Sequence, residues 1–257
     1  MTPESFQDAQ PKTMAMMPYS LFQQTALQLA NCDRHLVFLH EPHGAAAEQY
    51  RRLASRLVHA HPKGGTLMVT SPAPEDGKTL TAINLAFCLA ERAPTLLVDL
   101  DTRRSSIREY LGLALNGPGI EDALLELSRP EDCVYSLHNS HLCVAINCGE
   151  SHATFELMAA GRPQRFLAWA QKRFTWVIFD TPPAFPIADT LDIAQHTTVG
   201  ILVVRSRKTP IRLAQQTIEA LKGRLHHVVL NDGEKPSYSL YNRTYYFKQV
   251  ADSGRFK

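Results

Sequence analysis

The stretch Ser71-Pro-Ala-Pro-Glu-Asp-Gly-Lys-Thr79 constrains this chain more than any other. It follows an apolar β-type run, Thr66-Leu-Met-Val-Thr70, and opens a helical run from Leu80 to Ala90. Strand, loop, Gly-Lys-Thr and helix, in that order, form the layout of a phosphate-binding loop. Backbone N–H groups of such a loop and of the first helical turn point at the phosphates, and the helix dipole adds positive potential. In this reading Pro74, Glu75, Asp76, Gly77, Lys78, Thr79 and Leu80 line the phosphate site. Lys78 neutralises β- and γ-phosphate charge, and the Thr79 hydroxyl holds Mg²⁺. The match is partial, because the pattern places a glycine at position 72 and this chain has Pro72.

Two later segments add acids where such a site needs them. Thr95-Leu-Leu-Val-Asp-Leu-Asp101 reads as a buried strand ending in two carboxylates. The carboxyl ends of strands are where open α/β sheets bind ligands. Asp99 and Asp101 alternate about Leu100, so both side chains are expected on one side of the strand. A helix cap explains one of them but hardly both. Thr175-Trp-Val-Ile-Phe-Asp180 is a second apolar strand ending in an acid, and Asp180 is placed to reach Mg²⁺ directly or through water. Thr79 and Asp180 are therefore the expected metal contacts.

The remaining pattern fits the same architecture. Residues 141–146, 199–204 and 226–231 read as strands, and 154–160, 163–173 and 209–221 as helices. Alternating strands and helices predict a doubly wound, mostly parallel sheet flanked by helices on both faces. Asn231 ends its strand within reach of a base. No Asn-Lys-x-Asp signature follows, which favours ATP over GTP. His35-Leu-Val-Phe-Leu39 reads as a first edge strand, and Ala45–His59 as a solvated amphipathic helix. Residues 103–132 read as helix, turn and helix, with a short helix around 20–30 before the domain.

Composition excludes several classes. Hydrophobic residues make up 44% and charged residues 20%, enough for a real core. The net charge of +2 is too small to argue for nucleic acid. No apolar run approaches the roughly 20 residues of a membrane span, and the first residues lack a secretory pattern. The five cysteines are odd in number and show no C-x-x-C pair, which predicts free thiols and no structural zinc. The C-terminal stretch is unusual. Tyr238, Tyr241, Tyr245 and Tyr246 fall within nine residues, half of the eight tyrosines in the chain. A polar tail with clustered tyrosines suits phosphorylation. The expected division is a poorly ordered lead-in over 1–34, a P-loop domain over 35–236 and a tyrosine-rich tail over 237–257.

From about residue 35 to 246, the chain resembles the cytoplasmic tyrosine autokinases of bacterial capsule and exopolysaccharide synthesis. These are P-loop ATPases related to the chromosome-partition and division-site ATPases. Thr70–Thr79 with Asn84-Leu-Ala86 resembles the family's Walker A motif and following helix. Leu96–Arg104 resembles its second acidic motif, and Val177–Pro183 its Walker B motif. Val229-Leu-Asn231 and the tyrosine tail complete the set. The resemblance implies that Lys78 and Thr79 bind phosphates and Mg²⁺. It implies that Asp99 and Asp101 organise the metal and activate the tyrosine hydroxyl, with Asp180 in support. It also implies a tail phosphorylated in a neighbouring subunit of a homo-oligomeric ring, a separate membrane adaptor, and a cytoplasmic protein recruited to the inner face of the plasma membrane.

Three departures stand out. The family's loop reads Pro-Gly-Glu-Gly-Lys, whereas here Glu75 occupies the first Gly place and Asp76 the Glu place. Two carboxylates beside phosphates are unfavourable unless they point outward, and Glu75 has less backbone freedom than glycine. The family's ring contact is E-x-x-R-x-x-R. Glu48 and Arg51 fit it, and Ala54 replaces the last Arg, with Arg52 and Arg56 nearby. The partition ATPases need a second Lys at position 73, where this chain has Ala73. An ATP-dependent tyrosine autokinase is the leading expectation. A non-catalytic scaffold and a partition-type ATPase switch are the alternatives.

Overall fold

The computed structural model describes residues 22–25, 28–101, 105–137, 140–148, 162–184 and 189–233. Eight strands form one sheet: β1 (Gln23–Thr25), β2 (Gly65–Thr70), β3 (Thr95–Asp99), β4 (Tyr135–Leu137), β5 (Leu142–Ala145), β6 (Trp176–Asp180), β7 (Val199–Arg205) and β8 (His227–Asn231). Their spatial order is β1-β4-β5-β3-β6-β2-β7-β8. Every neighbouring pair is parallel except β4 and β5. The described helices are α1 (Val37–His40), α2 (Ala45–Ala60), α3 (Lys78–Ala90), α4 (Ile107–Tyr110), α5 (Ile120–Leu124), α6 (Arg162–Ala170), α7 (Asp189–Ala194) and α8 (Ile211–Ala220).

The central strands are apolar throughout because both faces are covered. Leu67, Val69, Leu97, Ile178 and Ile201 pack in the core shared with α2 and α3. Their neighbours Met68, Leu96, Val98, Val177 and Phe179 pack in the core on the other face, against Phe166, Leu167, Phe174 and Ile193. Helix α3 is buried on nearly every side, from Lys78 to Ala90. That burial explains its all-round apolar sequence. The outer helix α2 buries Ala47, Ala54 and Leu57 and leaves the rest of its surface partly or fully exposed.

Two expectations about the first residues are corrected. The run His35–Leu39 is not an edge strand, since Val37–His40 forms α1. Asp33 starts this turn, accepting from the His35 N–H on its Oδ1 at 2.7 Å and from the Leu36 N–H on its carbonyl at 3.0 Å. Such local side-chain bonds divert a short apolar run away from a ladder. The helix expected around 20–30 is instead strand β1 followed by a single 3₁₀ turn at Leu29–Asn31. Strand β1 pairs in parallel with β4, a strand the sequence reading passed over. Phe22 anchors this edge by stacking on Phe174 at 5.7 Å between ring centres. The fold therefore begins to use the chain before residue 35. The expected helix at 154–160 and the four tail tyrosines lie outside the described residues.

Candidate nucleotide and phosphoryl-transfer site

The sheet topology gathers the expected residues. Strands β3, β6 and β2 are adjacent and parallel, so Asp99, Asp180 and the P-loop all emerge from one edge. Asp99 and Asp180 are direct partners in the β3–β6 register. The P-loop leaves β2 at Ser71 and enters α3 at Lys78, with Gly77 at φ 96° in the left-handed region. A Cβ on Gly77 would collide with the Asn231 side-chain amide, so glycine is required there twice over, by conformation and by space.

Lys78 lies at the centre of the cluster. Its Nζ meets Asp101 Oδ2 at 2.7 Å and Asp180 Oδ1 at 3.5 Å, and donates to Thr79 Oγ1 at 3.1 Å. Burial opposes its charge, but the carboxylates of Asp180 and Asp101 outweigh that and hold its pKa above the ordinary lysine value. Asp99 is fully buried. Burial first, and then the charge of Asp180, push its carboxyl up to about 8. Two donors work against that rise or share its oxygens: Ser105 Oγ donates to Oδ2 at 2.6 Å and the Asp101 N–H donates to Oδ1 at 3.1 Å. Burial also raises the Asp180 carboxyl, with Lys78 pulling it back.

These details divide the acids by role. Both oxygens of Asp99 are occupied by protein donors, whereas Asp180 Oδ2 is buried with no hydrogen-bond partner among the described residues. An orphaned carboxylate oxygen beside the Thr79 hydroxyl is a pair of hard oxygen donors, the chemistry Mg²⁺ selects. Among the described residues no group of three or more His, Cys, Asp or Glu could hold a metal on side chains alone. A metal here would thus share its coordination with water and phosphate, as Mg²⁺ commonly does.

The rest of the loop is tied down by residues more than a hundred positions away in sequence. Asp76 is buried and faces the protein, not the site. It accepts from the Ala73 N–H at 3.0 Å and from Thr209 Oγ1 at 2.7 Å. Asn231 Nδ2 donates to the Asp76 carbonyl at 2.9 Å, so the amide expected near a base braces the P-loop. Glu75 has φ 64°, a backbone state that disfavours residues with a Cβ. Its carboxylate points outward to Lys208 Nζ at 2.8 Å. Thus both loop carboxylates avoid the electrostatic conflict expected from the sequence. Ser105, Arg205, Lys208 and Thr209 were missed by sequence reading, and no spacing rule links them to the loop.

The helix α2 motif is also partly internal. Ala54 is buried against the core, and Arg51 donates to the Pro42 carbonyl at 2.8 Å, meets Glu91 at 3.6 Å and lies over the Phe38 ring. Glu48 and Arg51 are 3.9 Å apart, while Arg52 and Arg56 are exposed. All five cysteines are free, and burial pushes Cys133 and Cys143 up to about 12, which keeps both as inert thiols. Among the described residues no helix is long and apolar enough to cross a membrane.

Comparison with known proteins gives a consistent set of relatives. The tyrosine-protein kinase YwqD of Bacillus subtilis is 29% identical over 215 residues, covering 81% of this chain and 90% of that protein. The tyrosine-protein kinase CpsD of Streptococcus pneumoniae is 30% identical over 193 residues, covering 72% and 84% respectively. Other relatives are much longer, and the chain spans 31% of the tyrosine-protein kinase ptk of Acinetobacter johnsonii at 26% identity and 87% coverage of this chain. Among solved structures, the VpsO kinase domain superposes with a TM-score of 0.63 at 28% identity, covering 73% of this chain and 98% of that one. The septum site-determining protein MinD of Pyrococcus horikoshii, solved with Mg-ADP, shares the fold at a TM-score of 0.56 and 16% identity, covering 69% and 76%. No protein-family model matches the chain.

Proposed function

We propose a specific activity for this chain from one premise: it belongs to the bacterial tyrosine-protein kinases. It is a protein-tyrosine kinase on a P-loop fold that binds nucleotides. The proposed activity is ATP-dependent autophosphorylation of the tail tyrosines Tyr238, Tyr241, Tyr245 and Tyr246, in the service of capsule or exopolysaccharide synthesis or export. The observation that carries this reading is the convergence of Lys78 with Asp99, Asp101 and Asp180 at the mouth of the P-loop.

Each residue has a part. In this structure Lys78 Nζ is held by Asp101 and Asp180. On ATP binding it would turn to the β- and γ-phosphates, and Gly77, Lys78 and Thr79 would offer backbone N–H groups at the start of α3. Thr79 and Asp180 would hold Mg²⁺, which supplies charge neutralisation across the β- and γ-phosphates. Release of Lys78 leaves Asp101 Oδ2 free to accept the proton of an incoming tyrosine hydroxyl. The tyrosine oxygen bonds to the γ-phosphorus, the bond from that phosphorus to the β–γ bridging oxygen breaks, and ADP leaves. Asp99 holds the geometry of Asp101 through the Asp101 N–H. Transfer of this kind depends mostly on positioning and charge stabilisation.

The proposed setting follows the family. The tail of one subunit is modified in the site of its neighbour in a ring, and a membrane adaptor recruits the protein to the cytoplasmic face of the plasma membrane. The scaffold alternative drew on Glu75 and Ala54, and it loses support because Glu75 faces outward and Ala54 sits in the core. The partition-type switch lacks its second lysine at Ala73.

Purified protein incubated with Mg-ATP, with and without a candidate adaptor's cytoplasmic segment, tests the proposal. Intact-mass and anti-phosphotyrosine analysis should show phosphate that disappears when the chain is truncated after Pro236. Absence of phosphate under both conditions, together with no detectable ADP binding, would refute it.

A further inference from the structure

The P-loop of this chain carries a carboxylate at Glu75, and the structure shows what stands opposite it. Glu75 Oε2 is 2.8 Å from Lys208 Nζ, and Arg205 Nη1 donates to the Glu75 carbonyl at 3.3 Å. Arg205 ends β7 and Lys208 lies in the turn that follows it. That turn is not a loose neighbour. Thr209 Oγ1 donates to Asp76 Oδ1 at 2.7 Å, and the Arg205 N–H donates to Thr209 Oγ1 at 2.9 Å. The Thr209 and Lys208 N–H groups bond back to the Arg205 carbonyl at 3.0 and 3.3 Å, with Arg207 at φ 61° inside the turn. Arg205 also reaches Asp232 at 3.3 Å. The turn is therefore pinned to the P-loop one residue from Glu75, and it presents Lys208 to that carboxylate.

We propose that Lys208 is a positioning residue for nucleotide binding: it holds the Glu75 carboxylate outward and offsets its charge, so that phosphates can enter a loop that carries an extra negative group. The inference rests on the nucleotide site described above. Its physical basis is distance and screening. An exposed ion pair contributes little to folding. A carboxylate released at the rim of a phosphate site, in contrast, acts on two or three phosphate charges at once. Lys208 and Glu75 thus form a compensated pair, in which the lysine matters to the ligand only because the glutamate is there.

The test is a cycle of four full-length proteins: wild type, Lys208→Ala, Glu75→Gly and the double variant. The probe is the fluorescent N-methylanthraniloyl derivative of ADP with Mg²⁺, read as a dissociation constant at low and high salt. Lys208→Ala should weaken binding about threefold to tenfold at low salt, and less at high salt. Lys208→Arg should restore it. In the Glu75→Gly background the same Lys208→Ala change should have no effect. Thermal midpoints should separate this from folding: Lys208→Ala should stay within about 2 °C of wild type. Glu75→Gly should rise by about 2–4 °C, because glycine relieves the left-handed backbone. An equal loss in both backgrounds would overturn the proposal and make Lys208 a direct phosphate ligand. No loss in either would overturn it too. If wild type fails to bind the probe at all, the nucleotide site itself is refuted, and the positioning role with it.

Discussion

Replacing Lys78 by methionine is expected to lower autophosphorylation about a hundredfold to a thousandfold or more, the usual loss when a charge-stabilising donor is removed. The same change should destabilise the nucleotide-free protein by about 3 kcal/mol. Activity falls because Lys78 is the one lysine of the P-loop and its Nζ contacts two of the strand-end acids directly. Stability falls because Asp101 and Asp180 are both buried and take their countercharge from its Nζ. Without it, the Asp180 carboxyl, which burial raises, loses the charge that pulls it back, so the folded variant holds that proton to higher pH than the unfolded chain. The variant's deficit should therefore be smaller at pH 5 than at pH 8. Thermal scans at pH 5 and pH 8 measure this. At pH 8 the midpoint should fall by about 6–12 °C. An unchanged midpoint at pH 8 would mean that the ion pair contributes nothing.

The second large effect has opposite signs for stability and activity. Asp99→Asn should reduce phosphoryl transfer by about a hundredfold or more, since Asp99 accepts from the Asp101 N–H and shapes the acid cluster. It should also raise the thermal midpoint by about 4–8 °C at pH 8 or above. Burial and the charge of Asp180 push the Asp99 carboxyl up to about 8. Between the ordinary carboxylate range and that value, the folded protein keeps a proton that the unfolded chain releases. Wild-type stability therefore declines as pH rises through this window, and asparagine removes the decline. The gain over wild type should be small near pH 4 and largest above pH 8. A lower midpoint at every pH would show that the carboxylate, not its neutral form, is what the fold requires.

The sequence carried the site further than the fold's edges. Asp99, Asp101 and Asp180 were legible because each ends an apolar run long enough to cross a covered sheet, and Gly77-Lys78-Thr79 sits between a strand and a helix. Strands β1 and β4 were not legible. Each has three residues, and Gln23-Gln24-Thr25 has no apolar face to read. The run at 35–39 misled because its apolar content is strand-like, while the turn at Asp33 that decides its path is a local hydrogen bond. Asp76 and Glu75 were recognised as liabilities, but their neutralisation was invisible. Thr209 and Lys208 lie 133 positions away from them, and only the meeting of the β2 and β7 ends brings them together.

The brace from Asn231 to the Asp76 carbonyl and the tether from Thr209 to the Asp76 carboxylate set a practical limit on how this chain can be shortened. Strand β8 looks peripheral, an edge with Val228 and Leu230 turned to solvent. Yet its terminal asparagine fills the space above Gly77 and holds the loop that receives phosphate. A fragment ending before residue 231 would keep the P-loop and both acidic strand ends and still lose the asparagine that braces the loop. The part of the fold that supports the P-loop thus extends at least to Asn231.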